Sequence, residues 1–466
     1  MIQPFRNPFA DPKLPQLALV TDPVMMAQRL AESFRPALAQ LHCEVESSVI
    51  ERIQYRRGRR CWVLYRLKLR DHDGAKNDQW FLGKLGRVGQ ARRQYAEALA
   101  AENLPNGFWP ALTLLSDLEM VVWTFPNDPE MPGLRRAADL DFVQTQINAN
   151  LAAFGLTEDW RCCNAGFARV KYMPGKRCVL RYHIELQKSS GEKRPLSFYS
   201  KTYSDGMSRW HYQVLQQVHA RLGHAINIPR PILHLETANS LWQEPWEGRP
   251  LLENIEAEDW DELFPRLAAG LAAFHQSRCE SLPPANTVEL AYDSAQEDAP
   301  MLGWLLPEYH LRFAEILPKL SAARKKIAAE RTTPVAPIHR AIRLEQFVAR
   351  GRDVALVDFD AAALGDPLYD VAEFLSSLQY LEFTAGFSRP RLAAAAELFK
   401  TNYEKQAGLQ LSLPRLSFYA VSALLSKMHD TMKNLDVKAM PKFAAIWEIM
   451  DGWLQNLART SRNQKD

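Results

Sequence analysis

The stretch "ALVDFDAAALGDPLYDVAEFL", residues 355–375, begins as an apolar strand, crosses a loop holding Asp358, Asp360 and Asp366, and enters a helix at "LYDVAEFL", which carries Asp370. Asp358 follows the apolar run "VALV", so it leaves the strand at its carboxyl end and faces a cleft. Asp360, two residues on, points the same way while the strand persists. Asp366 and Asp370 read as structural, capping the helix and tying down the loop.

The block reaches back to Ile338, "IHRAIRLEQFVARGRD", and the chain around it is helical after about Leu251. "WDELFPRLAAGLAAFHQSR", "EYHLRFAEILPKLSAARKKIAAE", "RPRLAAAAELFKTNYEKQ" and "MPKFAAIWEIMDGWLQNLART" all show a period near 3.6. The first half is different, and it repeats. A shift of 117 positions lays "RIQYRRGRRCWVLYRLKL" on "RVKYMPGKRCVLRYHIEL", with 14 identities in 45 positions from Glu51 to Tyr95, where chance gives roughly 3. Each copy reads as strand, glycine turn, strand, loop, strand, then a helix and a further strand pair. The identities include Gly58 with Gly175 and Lys84 with Lys201.

The chain has 466 residues, 47% of them apolar, enough for two or three domains with cores of their own. No run of about 18 uncharged apolar residues occurs and the first residues lack a signal-peptide pattern, so a soluble, cytoplasmic protein away from membranes is expected. Six scattered cysteines without a C-x-x-C pair read as reduced thiols. A net charge of +3 gives no general attraction to nucleic acid. Only the basic turns "YRRGRR" and "YMPGKR" favour anions locally, through Gly175 and its backbone neighbours in the second copy.

Taken together, "FYSKTY" with Lys201, the hinge-like "WQEPWEGRPL", "HRAIRLEQ", "LVDFD" and "GDPLYDVA" resemble, in order and spacing, the aminoglycoside phosphotransferase and choline kinase family, relatives of the protein kinases. The resemblance covers about Ala168 to Leu457 and implies an α+β, two-lobed, protein-kinase-like fold, here with an extra N-terminal copy of the strand-rich small lobe. The expected division is 1–150, a first small-lobe-like unit with an N-terminal helix; 151–251, the nucleotide-side small lobe; and 252–466, the helical lobe. The cofactors implied are ATP and Mg2+. Lys201 and Gly175 are then expected on the phosphates, the backbone around Glu244 and Trp246 on adenine, and Asp358, Gln346 and Asp360 on the metal. His339, Arg340 and Ala341 open the catalytic loop.

One part departs from the family pattern. Counting from His339, the catalytic aspartate falls on Ala341 and the metal-binding asparagine on Gln346. A methyl group neither accepts a proton nor orients a hydroxyl, and losing such a base costs about 10² to 10⁴ in rate. The reading is therefore a degenerate kinase-fold protein, a pseudokinase with a regulatory or scaffold role. The alternative is an active ATP-dependent phosphotransferase acting on a small hydroxylated molecule. The segment 280–306, acidic around Asp293 to Asp298, would be the acceptor-side insertion, a solvated loop or acidic wall. The first unit, whose Lys84 has no adjacent metal carboxylates, is expected to pack on the second or to bind a protein partner.

Overall fold

A computed structural model describes residues 6–101, 108–223, 225–279, 281–330 and 335–457. The first half holds two antiparallel five-stranded sheets of the same order, β1-β2-β3-β5-β4 and β6-β7-β8-β10-β9. The first comprises β1 (Cys43–Arg56), β2 (Arg60–Asp71), β3 (Lys76–Leu85), β4 (Leu112–Leu115) and β5 (Met120–Thr124). The second comprises β6 (Trp160–Met173), β7 (Arg177–Lys188), β8 (Lys193–Tyr203), β9 (Pro231–Leu235) and β10 (Ser240–Gln243). Alternating burial along "RCVLRYHIELQK" gives β7 one buried face, while Cys61–Tyr65 of β2 are buried on both faces. The helices Gln90–Ala101 and Ser208–Leu222 follow the third strand of each sheet.

The two sheets share bonds as well as order. Asp11 accepts from the Tyr55 hydroxyl at 2.8 Å and the Gly58 N–H at 2.6 Å. Asp128 accepts from the Tyr172 hydroxyl and the Gly175 N–H, both at 2.8 Å. Both glycines hold positive φ, 62° and 64°, the left-handed region in which a side chain is strained. The shift of 117 positions also relates Asp11 to Asp128, and it relates Val20 to Ala137, whose carbonyls accept from Tyr65 and Tyr182.

The first sheet rests on the second through Leu64, Trp80 and Phe125, which join the core under β6–β8. Arg169 lies flat on Trp80 at 3.9 Å, a cation–π contact. The second sheet joins the helical part at the hinge-like segment, where Arg249 and Pro250 pair with Ala349 and Val348. The helices pack on one core in which Phe374 stacks on Phe399 at 4.1 Å. A third contact closes the arrangement. Leu435, just past the helix Leu413–Lys433, sits 5% exposed in the core of the first sheet. Arg57 of the β1–β2 turn lies 3.9 Å over Trp304.

The acidic segment 280–306 is mostly helix rather than a solvated loop, and its Glu297 lines a cavity. Thr287–Leu305 is a helix capped by Asn286, and Asp298 is buried in it, accepting from Ser426 and paired with His429. Glu280 lies outside the described residues.

Candidate functional site

Asp358 stands two residues past the strand Asp353–Leu356. Its backbone has φ 75° and ψ 52°, uncommon for a residue with a side chain. Its neighbours fix this turn. His339 is fully buried, its Nε2 lies 3.0 Å from the Val357 carbonyl, and its ring packs on Phe359. Burial lowers the affinity of His339 for a second proton, so a neutral ring with hydrogen on Nε2 suits this contact. Asp370 ties the preceding loop, accepting from the backbone N–H of His339 at 2.6 Å and of Arg340 at 2.8 Å, with His275 at 3.1 Å. Asp366 accepts from the N–H of Leu368, the first residue of the following helix, at 2.9 Å across Pro367, which stands at the helix N-cap without a side-chain bond. Both aspartates thus have the structural roles that their positions suggest.

The carboxylates of the opening stretch meet two cations. Arg177, at the start of β7, donates to both oxygens of Asp358 at 2.6 and 2.7 Å and to Asp360 at 2.6 Å. Lys201, on β8, lies 3.0 Å from Asp358 and 3.3 Å from Asp360. The Tyr203 hydroxyl donates to Asp360 at 3.0 Å. Two positive and two negative charges balance. Burial alone would raise the Asp358 pKa, but Lys201 and Arg177 hold it well below the usual carboxylate range. Burial would likewise lower Lys201, but Asp358 and Asp360 raise it.

Sequence reasoning missed Arg177 and Tyr203. The signal for Arg177 was present, because Arg60 and Arg177 are one of the identities between the copies. Its partners, however, lie about 180 residues further along the chain.

The cleft beside this cluster is nearly full. Lys201, His211, Leu241, Gln243, Asp358 and Asp360 surround a cavity of about 10 Å³, room for about one water molecule. Other residues expected on a nucleotide lie elsewhere. The Gly175 N–H is spent on Asp128, and a side chain at Gly175 would come within 2.5 Å of Glu130 and 2.7 Å of Trp62. Gly175 lines a different, larger cavity. Glu244 pairs with Arg230 at 2.6 Å, and Trp246 lies under Arg350 at 4.7 Å. Gln346 is buried and its carbonyl accepts from the Val357 N–H at 2.9 Å, while its side chain lines neither cavity. Ala341 is partly buried, and Arg340 beside it has φ 65°. In the first sheet, Lys84 lies 4.0 Å over the Trp62 ring and 3.3 Å from Glu130, and burial lowers its pKa.

The arrangement is that of a two-lobed, kinase-like module, with a strand-borne lysine facing the aspartates of a helical lobe. Residues 186–409 match the phosphotransferase enzyme family, APH. That match spans a little under half of the chain. Among solved structures, an amicoumacin kinase in complex with AMP-PNP and Ca2+ is similar at 13% identity and TM-score 0.40, over 62% of this chain and 87% of that one. A thermostable mutant of an aminoglycoside phosphotransferase is similar at 15% identity and TM-score 0.42, over 66% and 98%. A choline kinase from Cryptosporidium parvum is similar at 10% identity and TM-score 0.45, over 68% and 95%. Comparison with curated proteins gives no match. Among the described residues no helix is long and apolar enough to cross a membrane.

Proposed function

We propose that this protein is a catalytically degenerate kinase-fold protein with a regulatory or scaffold role, in which Arg177 holds the place that a metal ion takes in an active enzyme. The observation that carries this reading is the double clamp of Arg177 on Asp358 and Asp360. Both oxygens of Asp358 accept from the guanidinium, so as folded these residues do not fit Mg2+. Among the described residues no group of three or more His, Cys, Asp or Glu is placed to hold a metal. Ala341 adds a second defect, since it supplies no base for an incoming hydroxyl.

ATP in the cleft then requires Arg177 to leave its seat and the walls around Lys201 to part, since adenine nucleotides need far more than the room of one water. Once Arg177 is displaced, Asp358 and Asp360 are the carboxylates that would hold Mg2+, and Lys201 would neutralise phosphate. The domain division 1–150, 151–251 and 252–466 belongs to the same reading, with the first unit as a cover and a protein-partner surface.

Calorimetry with ATP, with and without Mg2+, tests it together with turnover. The unaltered chain should transfer or hydrolyse phosphate far below the usual kinase rates of about 1 to 100 per second. Ala341→Asp should raise that rate at least tenfold. Ordinary kinase turnover by the unaltered chain would overturn the reading and favour an active phosphotransferase with another base. No heat for Arg177→Met at millimolar ATP and Mg2+ would remove nucleotide binding altogether.

A further inference from the structure

Between the β1–β2 turn, the β6–β7 turn and the helical part lies a second cavity, of about 1140 Å³. It is of the size that takes a small organic molecule. Ten lysines and arginines line it against four carboxylates. Some of these cations are satisfied. Lys427 pairs with Glu373 at 2.8 Å, and Arg60 lies over Trp62 at 4.4 Å.

Six have neither a salt bridge nor a ring partner among the described residues: Arg56, Arg59 and Lys176 at the two turns, and three that meet across the cavity. Arg52 on β1, Lys171 on β6 and Arg343 from the loop after Ala341 converge on the cavity from three separate elements, and none forms a salt bridge among the described residues. The Nε atoms of Arg52 and Arg343 are buried without a hydrogen-bond partner. Burial and the charges of Arg177 and Arg343 lower the half-buried Arg52, and Lys171 is lowered in the same direction although it lies exposed at the cavity wall. Asp430 offsets part of this at Arg52, and Asp358 does so at Lys171. Folding has gathered like charges from distant parts of the chain with only Asp430 and Asp358 as partial counter-charges, and a bound anion would relieve the repulsion that remains.

We propose that this cavity seats a small molecule carrying several phosphate groups, held by Arg52, Lys171 and Arg343. Guanidinium groups match phosphate oxygens two at a time, and an ammonium adds a point charge between them. The site is separate from the cleft beside Lys201, so the proposal stands whether or not that cleft takes a nucleotide.

Inorganic tripolyphosphate, titrated into the full chain in EDTA and followed by calorimetry and thermal unfolding, is the test. Binding with a rise in melting temperature is expected. Arg52→Gln, Lys171→Gln and Arg343→Gln should each weaken it at least tenfold, while Arg93→Gln, on the exposed face of the helix Gln90–Ala101, should not. Without ligand, Lys171→Gln should melt no lower than the unaltered protein, because a repulsive charge is gone. A lower melting temperature with unchanged affinity would make the cluster structural and overturn the proposal. So would loss of tripolyphosphate in Lys201→Ala, which would put the anion in the cleft. ATP without metal should compete with tripolyphosphate if a nucleotide tail is one source of the ligand, and should not if only free oligophosphates fit. A single-stranded oligonucleotide that binds more tightly and is lost in the same variants would replace the small molecule with a nucleic acid and refute the assignment.

Discussion

Replacing Arg177 with methionine keeps much of the side chain's apolar bulk and removes three charge-assisted bonds of 2.6 to 2.7 Å to Asp358 and Asp360. Breaking a buried ion pair by deleting one partner costs about 3–5 kcal/mol, because the other charge stays behind. Lys201 remains 3.0 and 3.3 Å from the two carboxylates and covers part of the loss. The expected cost is therefore at the lower end, about 3 kcal/mol. For a unit of this size, about 2–4 °C per kcal/mol translates that into about 6–12 °C in melting temperature. Differential scanning calorimetry in EDTA should show this fall in the transition that includes β6–β10 and the helices. Millimolar Mg2+ should restore part of it in Arg177→Met and leave the unaltered protein where it was. Arg177→Lys should fall between, because one ammonium cannot span both oxygens of Asp358 as the guanidinium does. Unchanged stability of Arg177→Met in EDTA would refute the reasoning, since the clamp would then contribute nothing.

Lys201→Ala should weaken ATP binding at least tenfold, and Lys84→Ala should leave it within about twofold, near 0.4 kcal/mol; equal losses on folded proteins would mean that the first sheet reaches the nucleotide. Asp128→Ala should destabilise by about 1–3 kcal/mol, because it strands the buried Tyr172 hydroxyl and the Gly175 N–H, and urea unfolding checks it. Asp358, held below its ordinary value, contributes stability that is whole at neutral pH and is lost as pH falls through its ordinary value toward its folded one. Acid unfolding below about pH 4 should therefore be shallower for Asp358→Asn than for the unaltered chain.

Much of this was legible along the chain. Period-two alternation around a glycine turn marked β6, β7 and β8, and the apolar run before Asp358 marked the end of its strand. Lys201 and the two aspartates do meet. Arg177 remained hidden because a hairpin arginine looks solvated until a segment about 180 residues away is folded over it. Asp11 and Asp128 remained hidden because they lie in irregular loops, where no strand or helix period draws attention. The helix Thr287–Leu305 was obscured by Pro300 and by carboxylates along its length, one of which, Asp298, is buried by its pairing with His429 rather than by apolar character. The fullness of the cleft depends on packing between elements and leaves no trace in any single segment.

The burial of Leu435 in the first sheet alters the mechanics of the whole chain. Two bodies joined at one hinge swing freely, but three bodies in mutual contact form a closed linkage. Rotating the helices away from Lys201 must also draw Leu435 out of its socket and lift Trp304 from Arg57. Withdrawing a buried leucine costs about 1.5–3 kcal/mol, so the first sheet acts as a brake on opening.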